Sequence, residues 1–231
     1  MNLRDLYYYF FNPKFFILTL PELLKGLLVT VEIAALSLAF GFLLGLVLAV
    51  VRVAIRHAGR RPILKVLNVP IVLYVDVLRA IPPLVTLVIV YYALPFISIT
   101  IPRFWAAVLT FTVILSAFAE EIFRATIEAI DPGQIEAARS LGLSYLQSMA
   151  SVVIPQAFKI ALPPLTSRLI AVTKDVSLAS VIGVADLLKK ARAAQSLYAN
   201  PTPLLSAALL FTLLFLPLVR LSMFLEKRLS D

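Results

Sequence analysis

The chain has 231 residues, of which 61% are hydrophobic and 15% charged, and its mean hydropathy is +0.97. Soluble domains carry about 45–50% apolar and about 25% charged residues, so this composition excludes an ordinary soluble enzyme, a disordered tail and a collagen-like chain, and leaves a polytopic membrane protein. The formal net charge of +8 fits Lys and Arg in loops beside anionic lipid better than nucleic-acid binding.

At about 20 apolar residues per crossing of a ~30 Å hydrocarbon core, the length allows about four to six spans and no separate soluble domain. There is no Cys and one His, His57. Disulfides, thiolate metal sites and Ser-His-Asp or HExxH chemistry therefore lack material.

Residues 1–21 are crowded with aromatics, Tyr7 to Phe11 and Phe15 to Phe16. Such rings favour the headgroup layer, and an interfacial helix is expected rather than a signal peptide. Leu27 to Ile55 reads as the first span, with Gly41 and Gly45 as a small-residue face for close helix contact. It runs into a basic turn that holds Arg52, Arg56, His57, Arg60, Arg61 and Lys65.

A second span, Val66 to Pro95, is interrupted at Ile81-Pro82-Pro83, because a Pro pair removes two backbone donors. Broken helices survive at membrane depth only where they line a cavity or face protein. Phe104 to Phe123 is the third span and ends in Glu120, Glu121 and Arg124. Met149 to about Val172 is a fourth membrane-depth segment, with Pro155, Pro163 and Pro164 and with Lys159 and Arg168 embedded. Leu204 to Leu221 is the last span. Five spans with the denser basic loop inside place the N-terminus outside and the C-terminus in the cytoplasm. Lys189, Lys190 and Arg192 oppose that orientation.

Between the third and fourth segments lies the longest polar stretch in the interior of the chain, Glu128 to Gln147. Within it, residues 131–142 read DPGQIEAARSLG. Asp131 suits an N-cap and Pro132 the first helical position. Gln134 stands where a capping box wants Glu or Gln, and Gly142 can end the helix in the left-handed conformation. The expected helix has about ten residues and is roughly 15 Å long. Ala137 and Ala138 offer a smooth surface to another protein, and Glu136 and Arg139 share a face.

Glu136-Ala137-Ala138, Gly142, Val152 and Ile154-Pro155 resemble the cytoplasmic EAA loop of ABC importer permeases in residue type and spacing. The surrounding AEEIFRATIEAIDPGQIEAARSLG is similar to the polar amino acid uptake type, the histidine/glutamine permeases. LPELLKGLLVTVEIA, LYVDVLRAIPPLV and LPPLTSRLIAVTKDVSLASVIG extend the likeness to nearly the whole chain.

The resemblance implies an all-α, type I ABC importer fold with about five transmembrane helices, an interfacial N-terminal helix and a cytoplasmic coupling helix. The domain division expected is 1–21 interfacial, 22–226 transmembrane with the EAA loop at about 128–155, and 227–231 as a tail. The implied protein is a permease subunit in a bacterial-type inner membrane and not an enzyme. It would carry a polar, acidic or neutral, amino acid brought by an extracytoplasmic solute-binding protein. A second permease subunit, identical or homologous, would complete the pore. Two ATPase subunits would bind ATP and Mg and dock on Glu136, Ala137, Ala138, Gly142 and Pro155. The chain has no phosphate loop of its own, and no cofactor or metal is expected in it. An ATP-independent secondary transporter or channel is the alternative, which midplane charges and broken helices also fit.

Ionisable residues at membrane depth are the candidates for a substrate path. Asp76 and Arg79 lie three apart, either as an ion pair or as ligand contacts. Lys159 is a candidate with a snorkelling alternative. Lys174-Asp175-Val176-Ser177-Leu178 resembles the family's Lys-Asp-Thr-Ser-Leu stretch, read as a gate or as a passing contact. Ser167-Arg168 stands where basic-amino-acid members of the family carry Asn-Glu, so Arg168 is expected either to hold a substrate carboxylate or to face headgroups or an internal acid. The substrate path expected is Arg79, Thr86, Arg168, Lys174, Asp175 and Ser177.

Overall fold

The computed structural model describes residues 9–57 and 62–230. Arg60, Arg61 and the aromatic Tyr7 lie outside them. Among the described residues the regular structure is helical. The helices are α1 (Pro13–His57), α2 (Pro62–Ala80), α3 (Pro83–Val88), α4 (Arg103–Glu128), α5 (Pro132–Ser140), α6 (Tyr145–Ser148), α7 (Ile154–Asp175), α8 (Leu187–Tyr198) and α9 (Thr202–Ser230). π turns follow α3 at Ile89–Ala93 and precede α7 at Met149–Val153, and a 3₁₀ turn, Val176–Ile182, follows α7.

Among the described residues three helices are long and apolar enough to cross a membrane, α1, α4 and α9, and the pair broken at Ile81-Pro82 and bent by 110° adds a fourth where it is taken as one span. The fourth expected segment, α7, is a continuous helix despite Pro163 and Pro164. The first helix differs from the expected boundary. Residues 13–21 do not form a separate element but continue through Pro21 into a single helix of 45 residues. At 1.5 Å per residue it is about 68 Å long, twice the hydrocarbon thickness, so part of it extends beyond the core.

The described residues fall into two compact units. Unit 1 is drawn from 1–37, 83–111 and 170–220, and unit 2 from 38–82, 112–169 and 221–231. In unit 1, Leu23, Leu187, Ala191 and Ala207 form the core, with Leu27, Leu204, Leu210 and Phe211 against it. Hydrogen bonds join its elements, together with the ion pair of Lys190 on α8 and Glu22 on α1 at 2.7 Å. Thr30 Oγ1 donates to Gly26 O and accepts from Leu187 N–H at 3.1 Å. Thr202 Oγ1 donates to Tyr9 O and accepts from Asn12 N–H.

Unit 2 has two core clusters. Ala49, Ala119, Phe123, Ala161 and Leu165 form one. Val53, Ile127, Met149, Val153 and Ala157 form the other. The first is dense because α1 and α4 touch backbone to backbone. A Cβ on Gly45 would fall 2.5 Å from Ala119 Cβ and 2.8 Å from Ser116 O, and Gly41 meets Leu115 and Thr112 O at 2.9 Å. The small-residue face read in the sequence is thus the contact itself.

Gly45→Leu is expected to prevent this crossing. Overpacking costs about 1–3 kcal/mol even where a side chain can yield, and here the obstacle is backbone. Size-exclusion of detergent-solubilised protein should show loss of the monodisperse species, whereas Leu43→Ala, at an exposed position of the same helix, should leave it intact.

Candidate functional site

The polar segment between α4 and α7 forms the helix its caps dictate. Asp131 accepts from Gly133 N–H at 2.7 Å and Pro132 opens α5. At the other end Gly142 has φ +89°. Its N–H donates to Arg139 O, and Leu143 N–H donates to Ala138 O, the paired bonds of a Schellman ending. Two sequence expectations need correction. The reciprocal capping box lies not at Asp131 and Gln134 but one element later, where Ser144 and Gln147 exchange side-chain and backbone bonds. A Gly at N2 already brings its N–H to Asp131. Ala137 and Ala138 also do not share a surface. Ala138 is buried and Ala137 exposed, because consecutive helical residues point about 100° apart.

Ile135 packs against the Val53–Met149 cluster. The outward face of α5 carries Glu136, Ala137 and Arg139, all exposed. Leu141 and Leu146, 84% and 74% exposed, extend it. An exposed apolar pair beside a rigid polar helix is the composition of a docking surface. Pro155 lies exposed in the first turn of α7.

Also in unit 2, the acidic and basic residues of α1, α2 and α4 form one network. Arg52 Nη1 donates to both Glu120 oxygens at 3.0 Å, with Glu120 fully buried and Arg52 nearly so. Glu121 faces Arg124 at 2.6 Å, Arg79 at 3.5 Å and Arg52 at 4.0 Å. Glu128 takes Arg124 and Arg56, each at 2.7 Å. Arg52, counted in the sequence as a loop charge, is therefore an internal cation. Arg79 turns to Glu121 rather than to the neighbouring Asp76, which is exposed.

Of the expected path residues, the structure brings Arg79 and Arg168 together in unit 2. Their Cζ atoms lie 5.6 Å and 3.1 Å from the centroid of the Phe118 ring. A cation over an aromatic face gains about 0.5–2 kcal/mol, which offsets part of the about 2.5–3.5 kcal/mol that a guanidinium costs at membrane depth. Phe118 was not singled out in the sequence. It reads there as one more apolar residue of the third span, and only its neighbours give it a role.

In unit 1, Lys174, Asp175 and Ser177 sit together where α7 tightens into the 3₁₀ turn. Ser177 Oγ donates to Lys174 O at 2.9 Å, and Lys174 Nζ lies 5.9 Å from the Phe215 ring. Thr86 is buried in α3, which packs against that 3₁₀ turn. Lys159 is exposed on α7.

Asp186 was likewise missed. It caps α8, with Oδ1 accepting from Lys189 N–H at 2.8 Å, and is fully buried. Burial pushes its carboxyl from 3.8 up to about 6, while the N–H groups of Lys189 and Ser180 and the charges of Arg192 and Lys189 pull the other way. The local signal is the Asp that opens a helical run, Asp186-Leu187-Leu188.

Residues 41–231 match the family model described as "Binding-protein-dependent transport system inner membrane component". The arginine transport system permease protein ArtQ of Bacillus subtilis (strain 168) is 35% identical over 214 residues, 92% of this chain and 94% of its own. The probable glutamine ABC transporter permease protein GlnP of the same organism is 37% identical over 197 residues, 83% and 87% of the two chains. A solved amino acid ABC transporter with histidines superposes with a TM-score of 0.79 at 34% identity, over 92% of this chain and 96% of that one. The inward-facing MetNI methionine ABC transporter shares the fold, with a TM-score of 0.73 at 21% identity.

Two expectations follow. Arg52→Ala leaves buried Glu120 without its hydrogen-bonded cation and with only Arg124 at 4.0 Å, so about 3–5 kcal/mol should be lost. Replacing both residues with Leu should recover much of it, as thermal unfolding of the solubilised chain can measure. Asp186 carries the opposite sign of pH dependence from a salt-bridged acid. A carboxyl raised from 3.8 to about 6 stabilises the fold below about pH 4 and withdraws that contribution as pH rises through 6, a span of roughly 3 kcal/mol. Asp186→Asn should therefore flatten stability between pH 4 and 7 and raise it at pH 7.5.

Proposed function

Because the chain belongs to the binding-protein-dependent transport system inner membrane component family, we propose that it is the translocation subunit of an ATP-driven importer for a polar amino acid. As a member of that family it is a multi-pass membrane permease component and not an enzyme. A solute-binding protein delivers the substrate. A second permease subunit, a copy or a homologue, completes the pore, and two ATPase subunits hold ATP and Mg. The names of the relatives support an amino acid as cargo, since arginine, glutamine and histidine all appear in them. The N-terminus lies outside and the C-terminus in the cytoplasm.

The observation that carries the reading is α5. It is short, capped at both ends and anchored by Ile135 and Ala138. It presents Glu136, Ala137, Leu141 and Leu146 outward. A rigid element of this kind transmits a push from an ATPase without absorbing it. Gly142 preserves the ending, and Pro155 starts the helix that follows. Arg79, Thr86, Arg168, Lys174, Asp175 and Ser177 are the residues along which substrate passes. Their support is that ionisable and polar groups at membrane depth require a cavity or a partner.

Glu136→Lys and Gly142→Pro should abolish uptake in vesicles that contain the ATPase and the binding protein, with the chain still present in the membrane. The first reverses a charge at an interface, which can cost several kcal/mol, and the second removes the N–H that bonds Arg139 O. Normal ATP-driven uptake by both variants would overturn the role of α5. Orientation is tested by a single Cys at position 59, which a membrane-impermeant reagent should fail to label from outside intact cells.

A further inference from the structure

We infer that α8 and the first turns of α1 form the extracytoplasmic surface on which an acidic face of the solute-binding protein docks. The inference rests on the importer reading above, with its orientation, and adds where that partner sits and what chemistry it presents. All the residues concerned belong to unit 1. Residues 13–26 and 186–198 carry Lys14, Lys25, Lys189, Lys190 and Arg192 against Glu22 and Asp186. Lys25 and Lys190 each take one oxygen of Glu22, at 2.6 and 2.7 Å. Asp186 is buried and caps α8. Lys189 and Arg192 are exposed, and the acid that feels their charge is the buried Asp186. The outer face of this part of the unit is therefore basic.

Lys and Arg collect on the cytoplasmic side, where the anionic lipid surface attracts them. Lys189, Lys190 and Arg192 run against that rule in the orientation proposed here. Lipid attraction accounts poorly for them on the outer side, and an acidic protein surface accounts for them well. The family is described as binding-protein-dependent, so a protein partner belongs to the assembly.

Shape is the second observation. A groove of about 210 Å³ runs between α1 and α8, with Leu18, Ala193, Ala194 and Leu197 along it and Glu22 and Lys190 in its wall. Leu18 and Leu197 are 51% and 74% exposed. The groove is preformed, because the two helices meet backbone to backbone. A Cβ on Gly26 would fall 2.9 Å from Asp186 O and from Leu187 Cα. Leu23 packs with Leu187 and Ala191 in the core, and the rings of Phe15 and Tyr198 lie 5.4 Å apart. From Leu27 to Val51, α1 has one charge, Glu32. That stretch is about 38 Å long and suffices for the hydrocarbon core. The groove stands on the turns before it, at headgroup level or outside, where a protein can reach it. Its complement is an apolar side chain ringed by carboxylates. The side chain seats between Leu18 and Leu197, and the carboxylates meet Lys189, Lys190 and Arg192.

The test uses the permease–ATPase complex in phosphatidylcholine nanodiscs and the purified binding protein with its amino acid bound. Surface plasmon resonance reads Kd and both rates, and uptake in proteoliposomes is titrated with binding protein. Lys189→Glu combined with Arg192→Glu should raise Kd about tenfold or more, mainly through slower association. The half-saturating concentration of binding protein should rise equally, with the maximal uptake rate little changed. Lys189→Arg combined with Arg192→Lys keeps both charges and should keep the wild-type Kd. Leu197→Asp should raise Kd about tenfold through faster dissociation, and Leu197→Met should not. Association of the wild type should slow as salt is raised. Monodispersity of each variant in detergent checks folding.

An unchanged Kd in the charge-reversed variant or in Leu197→Asp, with wild-type uptake normal, overturns the docking surface and leaves the importer reading standing. So does a Kd that responds to charge reversal only when phosphatidylglycerol is added to the nanodiscs, since α8 is then a lipid contact. Ser196→Cys, in a chain without native Cys, should be labelled from outside intact cells by a membrane-impermeant reagent. Failure of that labelling overturns the orientation and this surface with it. If the binding protein neither binds the wild-type complex nor drives uptake, the importer reading falls and this surface falls too.

Discussion

The cost of placing charge inside a membrane governs how unit 2 is built. Glu120 has no exposed surface and Arg52 almost none. An isolated ion of either kind at that depth would carry a penalty that no single side-chain contact offsets. The pair is held because each oxygen of Glu120 accepts from the same guanidinium nitrogen at 3.0 Å and because every glutamate of the cluster faces at least two arginines. This geometry requires α1 and α4 to approach closely, and Gly41 and Gly45 permit that approach. Ion pair and glycine contact are one constraint. A bulkier residue at position 45 would push the helices apart and strand the charges seven residues further along α1.

In unit 1 the ion pairs of Glu22 with Lys25 and Lys190 are exposed, and the buried requirement is met with neutral groups. Thr30, Asn12, Asn200 and Thr202 satisfy backbone donors and acceptors at helix ends. Asp186 is the exception, a carboxylate used as a cap in a place where its charge is poorly solvated. The raised carboxyl is the consequence of choosing an acid where Ser or Asn would also accept an N–H. Unit 1 therefore carries a pH-sensitive cap at Asp186, whereas unit 2 depends on the integrity of a network of charges.

How far each feature could be read from the sequence follows from its range. The caps of α5 were legible because Asp131, Pro132 and Gly142 act within a few residues of themselves. The small-residue face of α1 was legible because four-residue spacing is local. Arg52 with Glu120 was not, since 68 residues separate them and a basic residue at the end of a span reads first as a loop charge. Two local readings also failed. The capping box expected at Gln134 forms instead at Ser144 and Gln147, and Ala138 is buried rather than turned outward. In α7 the prolines look like breaks, yet the helix runs through them. A helix at membrane depth tolerates a lost backbone donor because neighbouring helices, side chains and local adjustment satisfy the groups left over.

Helix α4 joins what the two ends of unit 2 do. Phe118, Glu121, Arg124 and Glu128 follow one another at intervals of three or four residues, on one helical stripe. Arg124 ties Glu121 to Glu128, and Glu128 is the last residue of α4, three before the Asp131 that caps α5. Contiguity alone is not coupling. What the stripe supplies is an unbroken run of ion pairs from the Arg79–Glu121 contact through Arg124 to Glu128 and on to Arg56 of α1. A partly exposed pair contributes up to about 1 kcal/mol, so no single link moves a helix; together the links hold α1, α2 and α4 in one register beside the capped α5.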